Sequence, residues 1–197
     1  MSWYPALYTI IWPFFNLFHP GRHIGRENIP EGGALVCANH VRANDPFFII
    51  FAFHRNCPLH VMAKAELMRI PVLGALLKKA GVFGIDRGKS DVGAIKHALR
   101  CLKDGKKVLL FPEGTRVREG ENVDAKTGAA MLALRAGVPL IPVWLPPKRP
   151  WFRRTTVVIG EPFLPEIEGR RPNQEDYERV TEELMKRISG LEARANA

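Results

Sequence analysis

Short apolar runs alternate with longer amphipathic stretches along most of this 197-residue sequence. The run at 34–38 (ALVCA) follows the turn residues 30–33, and the run at 107–111 (KVLLF) follows Gly105. Continuous apolar runs bounded by turn residues are typical of buried strands. The longer stretches have helical spacing, with capping residues before them and glycine after them. Strands are predicted at 34–38, 59–63, 82–85, 107–111, 139–144 and 155–159. Helices are predicted at 46–55, 71–80, 91–103, 125–136 and 174–193. The expected N-caps of the first, third and fifth helices are Asp45, Ser90 and Asn173.

This alternation predicts an α/β fold with a largely parallel sheet flanked by helices. We find no internal repeat, linker or second domain, so we expect one domain over 22–197 behind a distinct segment, 1–21. Ligands of such sheets bind beyond the carboxyl ends of the strands. The sequence predicts that three polar clusters converge at this edge: Asn39-His40, Asp86-Arg87-Gly88 and Glu113-Gly114-Thr115-Arg116.

Residues 1–21 form a hydrophobic, strongly aromatic segment without Lys, Arg, Asp or Glu. It lacks the basic start and small-residue cleavage site of a secretory signal. As an apolar run it is barely long enough to span a bilayer, and Pro5, Pro13 and Asn16 interrupt it. It could be an arm that covers the core, a membrane span, or a monotopic segment in the interface of one leaflet. Its aromatic content favours the monotopic interpretation.

The formal net charge of +9 is unevenly distributed. Residues 1–160 carry 23 basic and 11 acidic side chains, whereas 161–197 carry 6 and 9. A basic body indicates an anionic partner, which could be nucleic acid, anionic lipid or a phosphorylated substrate. The basic and aromatic stretch 148–154 is either a solvated loop or a contact with lipid headgroups beside the N-terminal segment.

Several kinds of chemistry find no support in the sequence. No serine stands in a G-x-S-x-G turn and no glycine-rich phosphate loop is present, which argues against a serine hydrolase or a nucleotide site. The three cysteines are irregularly spaced, which predicts a reducing compartment and no disulfide framework. His54, His60 and His97 do not form a recognisable ligand pattern, so no metal is expected.

His40 and Asp45 remain as the candidate catalytic pair, in the string NHVRAND. A carboxylate that orients a neutral imidazole lets it take a proton from an alcohol attacking a carbonyl. The substrate hydroxyl then serves as the nucleophile. On spacing alone, His40 could equally end a strand while Asp45 caps a helix.

Arg87 and Arg116 each follow a predicted strand, with glycine beside them. Guanidinium groups bind phosphate with two hydrogen bonds, and glycine allows close approach to the backbone. Alternatively, both are surface arginines paired with the neighbouring Asp86 and Glu113.

Four blocks of the sequence resemble the glycerolipid acyltransferases typified by 1-acyl-glycerol-3-phosphate (lysophosphatidate) acyltransferase. The first is similar to the family's His-x4-Asp block, and the third, FPEGTR, is the most specific string in the chain. The segments GRENIP at 25–30 and AKAEL at 63–67 also resemble the family, and the resemblance covers about residues 22–162. The blocks are 39–46, 81–87, 111–116 and 138–143.

The resemblance implies a glycerol-3-phosphate-acyltransferase-like fold and transfer of a fatty acyl group from acyl-CoA or acyl carrier protein to the 2-hydroxyl of 1-acyl-glycerol 3-phosphate. It implies His40 as the base and Asp45 as its orienting acid, with no metal and no cofactor beyond the acyl donor. Block four would line the acyl or acceptor pocket. The implied substrate-binding residues are Arg87, which would hold the acceptor phosphate, Glu113, Gly114, Thr115, Arg116 and Lys64.

The chain departs from the family at two positions that concern the acceptor. Arg42 and Val117 stand where the family commonly has serine. The alternatives are therefore another lysophospholipid, glycerol 3-phosphate or another lipid as acceptor, or a non-catalytic binder of anionic lipid or nucleic acid. We expect no nucleic-acid partner, because no recognition motif is present and a binder has no use for His40 and Asp45. The expected location is the cytoplasmic side of the cell membrane, as a peripheral or monotopic protein.

Overall fold

The computed structural model describes residues 3–86, 91–116, 125–167, 169 and 171–195. In this part of the chain seven strands form one sheet in the order β1-β7-β6-β2-β5-β3-β4. The strands are β1 (Gly21–Ile24), β2 (Ala34–Ala38), β3 (Leu59–Lys64), β4 (Phe83–Ile85), β5 (Lys107–Leu110), β6 (Leu140–Trp144) and β7 (Thr155–Ile159). The helices are α1 (Trp3–Phe18), α2 (Asp45–Ala52), α3 (Leu73–Lys79), α4 (Val92–Lys103), α5 (Gly128–Ala136), α6 (Gln174–Gly190) and α7 (Glu192–Ala195).

The predicted α/β fold with a largely parallel, mixed sheet is confirmed. Strands β6, β2, β5, β3 and β4 are parallel, while β7 pairs antiparallel to β6 and β1 runs parallel to β7. All six predicted strands exist, each within about one residue of its predicted bounds. Strand β1 was not predicted, because its sequence GRHI has no apolar run and lies at the edge of the sheet.

Helices cover both faces of the sheet, and each face has its own apolar core. Helices α4, α5 and α6 pack on one face. Helix α2 packs on the other, with side chains of α1 and α3 beside it. Strand β2 lies in the middle and is fully buried, so its residues alternate between the two cores: Leu35 and Cys37 belong to the core under α4, α5 and α6, and Val36 and Ala38 belong to the core under α2.

Two of the predicted helix caps are different in the structure. Asp45 is not an N-cap but the first residue of α2, with Asn44 in the cap position. Asp91 caps α4 by accepting a hydrogen bond from the backbone N–H of Ala94, where Ser90 was expected. Ser90 itself lies outside the described residues. The cap of α6 is as predicted, since Asn173 and Asp176 form a reciprocal capping box.

Helix α1 packs on the core with one side and leaves apolar residues exposed on the other. On its inner side, the ring of Phe15 contacts Phe48 and Phe51 of α2, with centroids 4.8 and 5.0 Å apart. The helix therefore does cover part of the core, even though Pro13 lies inside it. Its outer side leaves large apolar residues in solvent: Trp3, Ile10, Ile11, Trp12, Phe14, Leu17 and Phe18. Of the helices described, none has both the length and the hydrophobicity to cross a membrane.

Candidate active site

The carboxyl ends of β2, β5 and β6 lie side by side, and hydrogen bonds connect the residues that follow them. The Asn39 side chain donates to the carbonyl of Leu145 at 2.8 Å and accepts from its N–H at 2.9 Å. One residue later, the backbone N–H of His40 donates to Oε2 of Glu113 at 2.7 Å. The predicted convergence of the clusters at His40 and Glu113 is thus observed, and it places His40 at the centre of this edge.

The Asp45 carboxylate binds the imidazole of His40 and the backbone that surrounds it. Its Oδ2 lies 2.9 Å from Nδ1 of His40 and accepts hydrogen bonds from the N–H groups of Val41 and Arg42 at 2.7 and 2.9 Å. An ionised carboxylate can only accept, so Nδ1 carries the proton and Nε2 is left with the lone pair. This geometry explains why Asp45 does not cap α2: its side chain turns back toward the loop that holds His40.

Arg149 is a buried partner of Asp45 that the sequence analysis did not identify. One of its terminal nitrogens lies 2.5 Å from Oδ1 of Asp45, and its guanidinium lies over the Phe48 ring at 4.9 Å. The stretch 148–154 was interpreted as a solvated loop or a headgroup contact, and for Arg149 both interpretations are wrong. Burial beside a carboxylate far away in the sequence leaves no local pattern from which it could be found.

Burial and charge shift the pKa values of the two carboxyl groups in opposite directions. Burial alone would raise the pKa of Asp45, but the hydrogen bond with His40, the charge of Arg149 and two backbone N–H groups hold it below its usual value. Burial raises the pKa of Glu113 to about 7, against the hydrogen bond from His40 and with help from the charge of Asp45. Asp45 is therefore the anion of the site at neutral pH, while Glu113 is close to its midpoint.

A largely apolar cavity of about 220 Å³ is separated from His40 by the ring of Phe111. The ring of Phe111 stacks on the imidazole, with centroids 4.0 Å apart and planes inclined by 19°. Phe111 also lines the cavity, together with Met62, Ile85, Met131 and Leu132, and Asp86 and Lys126 are its charged residues. The residues of block four are not part of the described lining, because they form β6 or precede it and are buried in the core.

The other predicted site residues occupy more exposed positions on the same edge. Lys64 ends β3 and is about half exposed, with its Nζ 2.9 Å from Oε1 of Glu66. Gly114 has a φ of 67°, which favours glycine, and a side chain there would crowd Lys126. Thr115 and Arg116 are exposed and follow directly. Arg87 lies outside the described residues, and so does Val117.

A separate group of possible metal ligands lies elsewhere, formed by His60, His97 and Cys101. Their ligand atoms are all within 4.8 Å of one another. Spacing along the chain does not indicate this grouping, because His60 precedes Cys101 by 41 residues.

Comparison with known protein families gives a match over most of the chain. Residues 22–146 match the family model described as Acyltransferase. This range includes His40, Asp45 and Glu113, whereas Arg149 lies just beyond it.

Three curated relatives are named 1-acyl-sn-glycerol-3-phosphate acyltransferase. The protein of Bacillus subtilis is 34% identical over 176 residues, covering 85% of this chain and 85% of its own. That of Pseudomonas aeruginosa is 32% identical over 188 residues, covering 87% and 71%. That of Borreliella burgdorferi is 36% identical over 124 residues, covering 61% of this chain and 49% of its own length.

A solved structure has the same fold. The crystal structure of PlsC from Thermotoga maritima, a 1-acyl-sn-glycerophosphate (LPA) acyltransferase, superposes with a TM-score of 0.71 at 26% sequence identity. The superposition covers 98% of this chain and 78% of that one.

Proposed function

This chain belongs to the acyltransferase family, and we propose that it transfers a fatty acyl group from a thioester to the 2-hydroxyl of 1-acyl-glycerol 3-phosphate, giving phosphatidic acid. The acyl donor is acyl-CoA or acyl carrier protein. Support for the acceptor comes from the names of the relatives, and support for the chemistry comes from the geometry around His40.

The observation that carries the mechanism is the hydrogen bond between Nδ1 of His40 and the buried carboxylate of Asp45. With Nδ1 protonated, Nε2 takes the proton of the acceptor hydroxyl as its oxygen attacks the thioester carbonyl. The tetrahedral intermediate then collapses, the carbon–sulfur bond breaks, and the leaving thiolate receives the proton from Nε2. Asp45 stabilises the imidazolium that exists between these two transfers.

Glu113 and Phe111 hold His40 in position, whereas Asp45 determines which nitrogen of its ring carries the proton. Glu113 accepts the backbone N–H of His40, and Phe111 stacks on its ring, so the residue is held from both the main chain and the side chain. Preorganisation of this kind reduces the entropy lost when the hydroxyl and the base meet. The cavity behind Phe111 is apolar and suits part of an acyl chain.

The acceptor phosphate is proposed to bind to the basic groups at the same sheet edge. Arg116 lies in the segment that follows β5, and Lys64 is the last residue of β3. Arg87 is proposed for the same role on the sequence pattern alone. Gly114 lies in the same segment as Arg116, in a left-handed backbone conformation that favours glycine.

We also propose that the protein works at the cytoplasmic surface of the cell membrane, as a peripheral or monotopic protein. The outer side of α1 carries exposed aromatic and aliphatic residues, and the Phe18 ring contacts those of Trp151 and Phe152 at 5.6 Å each. Such a surface suits the interface of one leaflet, with the exposed Arg153 and Arg154 at the headgroups. Both substrates of the reaction are amphiphiles.

The other candidates are a different lipid acceptor, glycerol 3-phosphate, or a non-catalytic binder. A binder gains nothing from a desolvated Arg149–Asp45–His40 arrangement, whose burial costs free energy unless each charge is paired. A different acceptor remains compatible with every contact at His40, so only an assay distinguishes it.

The test is transfer of a labelled acyl group from acyl-CoA, and separately from acyl carrier protein, to lysophosphatidate, glycerol 3-phosphate and other lysophospholipids in turn. We expect phosphatidic acid as the main product, and His40→Ala should lower turnover by ~10²–10⁴. His54→Asn is the control, because His54 is exposed and its φ of 46° suits asparagine. Normal turnover in His40→Ala would refute the mechanism, and product from another acceptor only would refute the substrate.

A further inference from the structure

His60, His97 and Cys101 form a cluster of metal ligands between β3 and α4, away from the proposed active site. The Sγ atom of Cys101 lies 3.5 Å from Nε2 of His97 and 3.8 Å from Nδ1 of His60. His97 and Cys101 are four residues apart in α4, so they share one face of that helix. His60 lies on β3, the strand next to β5. Cys101 and His60 are buried and His97 is exposed.

These distances are close to those of a tetrahedral zinc site. Zinc–sulfur and zinc–nitrogen bonds of about 2.3 and 2.0–2.1 Å, at a tetrahedral angle, place sulfur and nitrogen about 3.5 Å apart. The separations between Sγ and the two ring nitrogens are therefore within a few tenths of an ångström of what a shared cation requires. The ligand atoms of His60 and His97 lie within 4.8 Å of each other, and the His97 ring, which is exposed, would turn toward His60 to complete the site.

Hydrogen bonding within the cluster explains this arrangement less well than a cation does. A cysteine thiol has one proton, so it can donate to only one of the two rings that face it. The second ring must then direct a ring N–H at sulfur, which is a weak acceptor, or direct its lone pair at the same atom. A cation at the centre uses the sulfur and both nitrogen lone pairs at once.

We propose that His60, His97 and Cys101 bind one zinc-like divalent cation, with Cys101 as the thiolate and the thiol proton released to solvent. Two imidazoles and one thiolate suit Zn²⁺. The exposed side at His97 leaves a fourth position for water. His60 pairs in register with Val108, and Val108 with Leu35, which is near the start of β2, whereas His40 follows the end of that strand. The cation would therefore join α4 to β3 at the far end of the sheet, and its role is structural.

The test is a titration of the chelator-treated protein with CoCl₂ alone, followed by absorption spectroscopy. We expect a thiolate-to-cobalt charge-transfer band that saturates at one equivalent and disappears when ZnCl₂ is added. Cys101→Ser should abolish the band, and His97→Ala should weaken Co²⁺ binding at least about tenfold. Cys57→Ser is the matched control and should leave the titration unchanged, because Cys57 is a free cysteine outside the cluster.

Thermal unfolding gives a second measurement. ZnCl₂ should raise the melting temperature of the native chain and of Cys57→Ser but not that of Cys101→Ser, because only a cation that binds the folded state stabilises it. Absence of a thiolate band in the native chain, or its loss in Cys57→Ser with retention in Cys101→Ser, would overturn the proposal. His97→Ala tests the site at its exposed ligand. Acyl transfer does not pass through this cluster, so either proposal can fail without the other.

Discussion

Arg149 and Asp45 form an ion pair, 2.5 Å long, between side chains that are each only about 1% exposed. Arg149 comes from the segment between β6 and β7, whereas Asp45 is the first residue of α2. Oδ2 of Asp45 is occupied by His40 and two backbone groups, so Arg149 binds the remaining oxygen. We infer that Arg149 is a positioning residue, which acts on His40 through Asp45.

Replacement of Arg149 should impair both activity and stability. Arg149→Leu leaves a buried carboxylate without its cation, and breaking such a pair costs about 3–5 kcal/mol of folding free energy. Loss of that positive charge also raises the pKa of Asp45, which Arg149 helps to hold down. The acid limb of the pH profile of kcat/KM should therefore move to higher pH.

The pH profile separates positioning from a merely structural role. Arg149→Lys should keep the limb close to its native position, because it retains the charge, while losing part of the stability. Arg154→Leu is the control, as Arg154 is exposed on the same segment. An unshifted acid limb in Arg149→Leu would contradict the positioning role.

Asp45→Asn should lower kcat by ~10²–10⁴ with little change in the KM for the acyl acceptor. The amide no longer fixes Nδ1 as the protonated nitrogen, so Nε2 loses its role as the acceptor of the hydroxyl proton. Steady-state kinetics with both substrates varied would measure the two constants. A rise in KM alone would show that Asp45 contributes to binding and not to the proton transfer.

Glu113 should make the protein less stable as the pH rises from about 4.5 to 7. Its pKa is raised to about 7 in the folded state, so over this interval the folded chain retains a proton that the unfolded chain has lost. The loss amounts to at most about 3 kcal/mol. The lowered pKa of Asp45 acts at more acidic pH, where stability falls as the pH decreases.

Urea unfolding between pH 4.5 and 8 measures this effect, with Glu113→Gln as the comparison. Glutamine retains an oxygen that can accept the His40 N–H but does not titrate, so the free energy of unfolding should vary less with pH over the same interval. Equal pH dependence in the two proteins would show that Glu113 titrates at its ordinary value.

Exposed residues of α1 should determine attachment to lipid. Ile10, Phe14 and Leu17 are each more than 60% exposed and lie along one side of the helix. Replacing all three by serine should weaken binding to anionic lipid vesicles at least about tenfold, because burial of each large apolar side chain contributes about 1.5–3 kcal/mol. Flotation with vesicles is the measurement, and the melting temperature should not change.

Leu164→Ser is the control for the vesicle experiment, since Leu164 is 60% exposed but lies outside α1. Equal flotation of the triple variant and the native chain would exclude α1 as the attachment surface. Reduced flotation of Leu164→Ser to the same degree would show that exposed apolar residues act without regard to position.

The sheet was largely predictable because buried strands have local signatures. Apolar runs such as 34–38 and 107–111 are bounded by turn residues, and the rule for parallel sheets then brings His40 and Glu113 to one edge. His40 and Asp45 are only five residues apart, so a short loop suffices to join them.

What could not be predicted depends on contacts between distant parts of the chain. Arg149 reaches Asp45 across more than a hundred residues, and its local sequence resembles that of any basic loop. Strand β1 lacks an apolar run, and α1 contains proline at a position that normally argues against a helix. The Asp45 cap was wrong because a carboxylate preceding Pro46 satisfies the capping pattern equally well when it turns toward His40.

Because Phe15 packs against α2, the position of α1 in a membrane would determine the position of the catalytic residues relative to the lipids. Helix α2 has eight residues and is therefore about 12 Å long. Asp45 is its first residue, and Phe15 of α1 packs against its side. If α1 lies in one leaflet of the membrane, α2 holds the imidazole of His40 at a fixed distance from the hydrocarbon. The acceptor hydroxyl and the thioester must then reach His40 at that height. The length of α2 therefore limits which lipids can react.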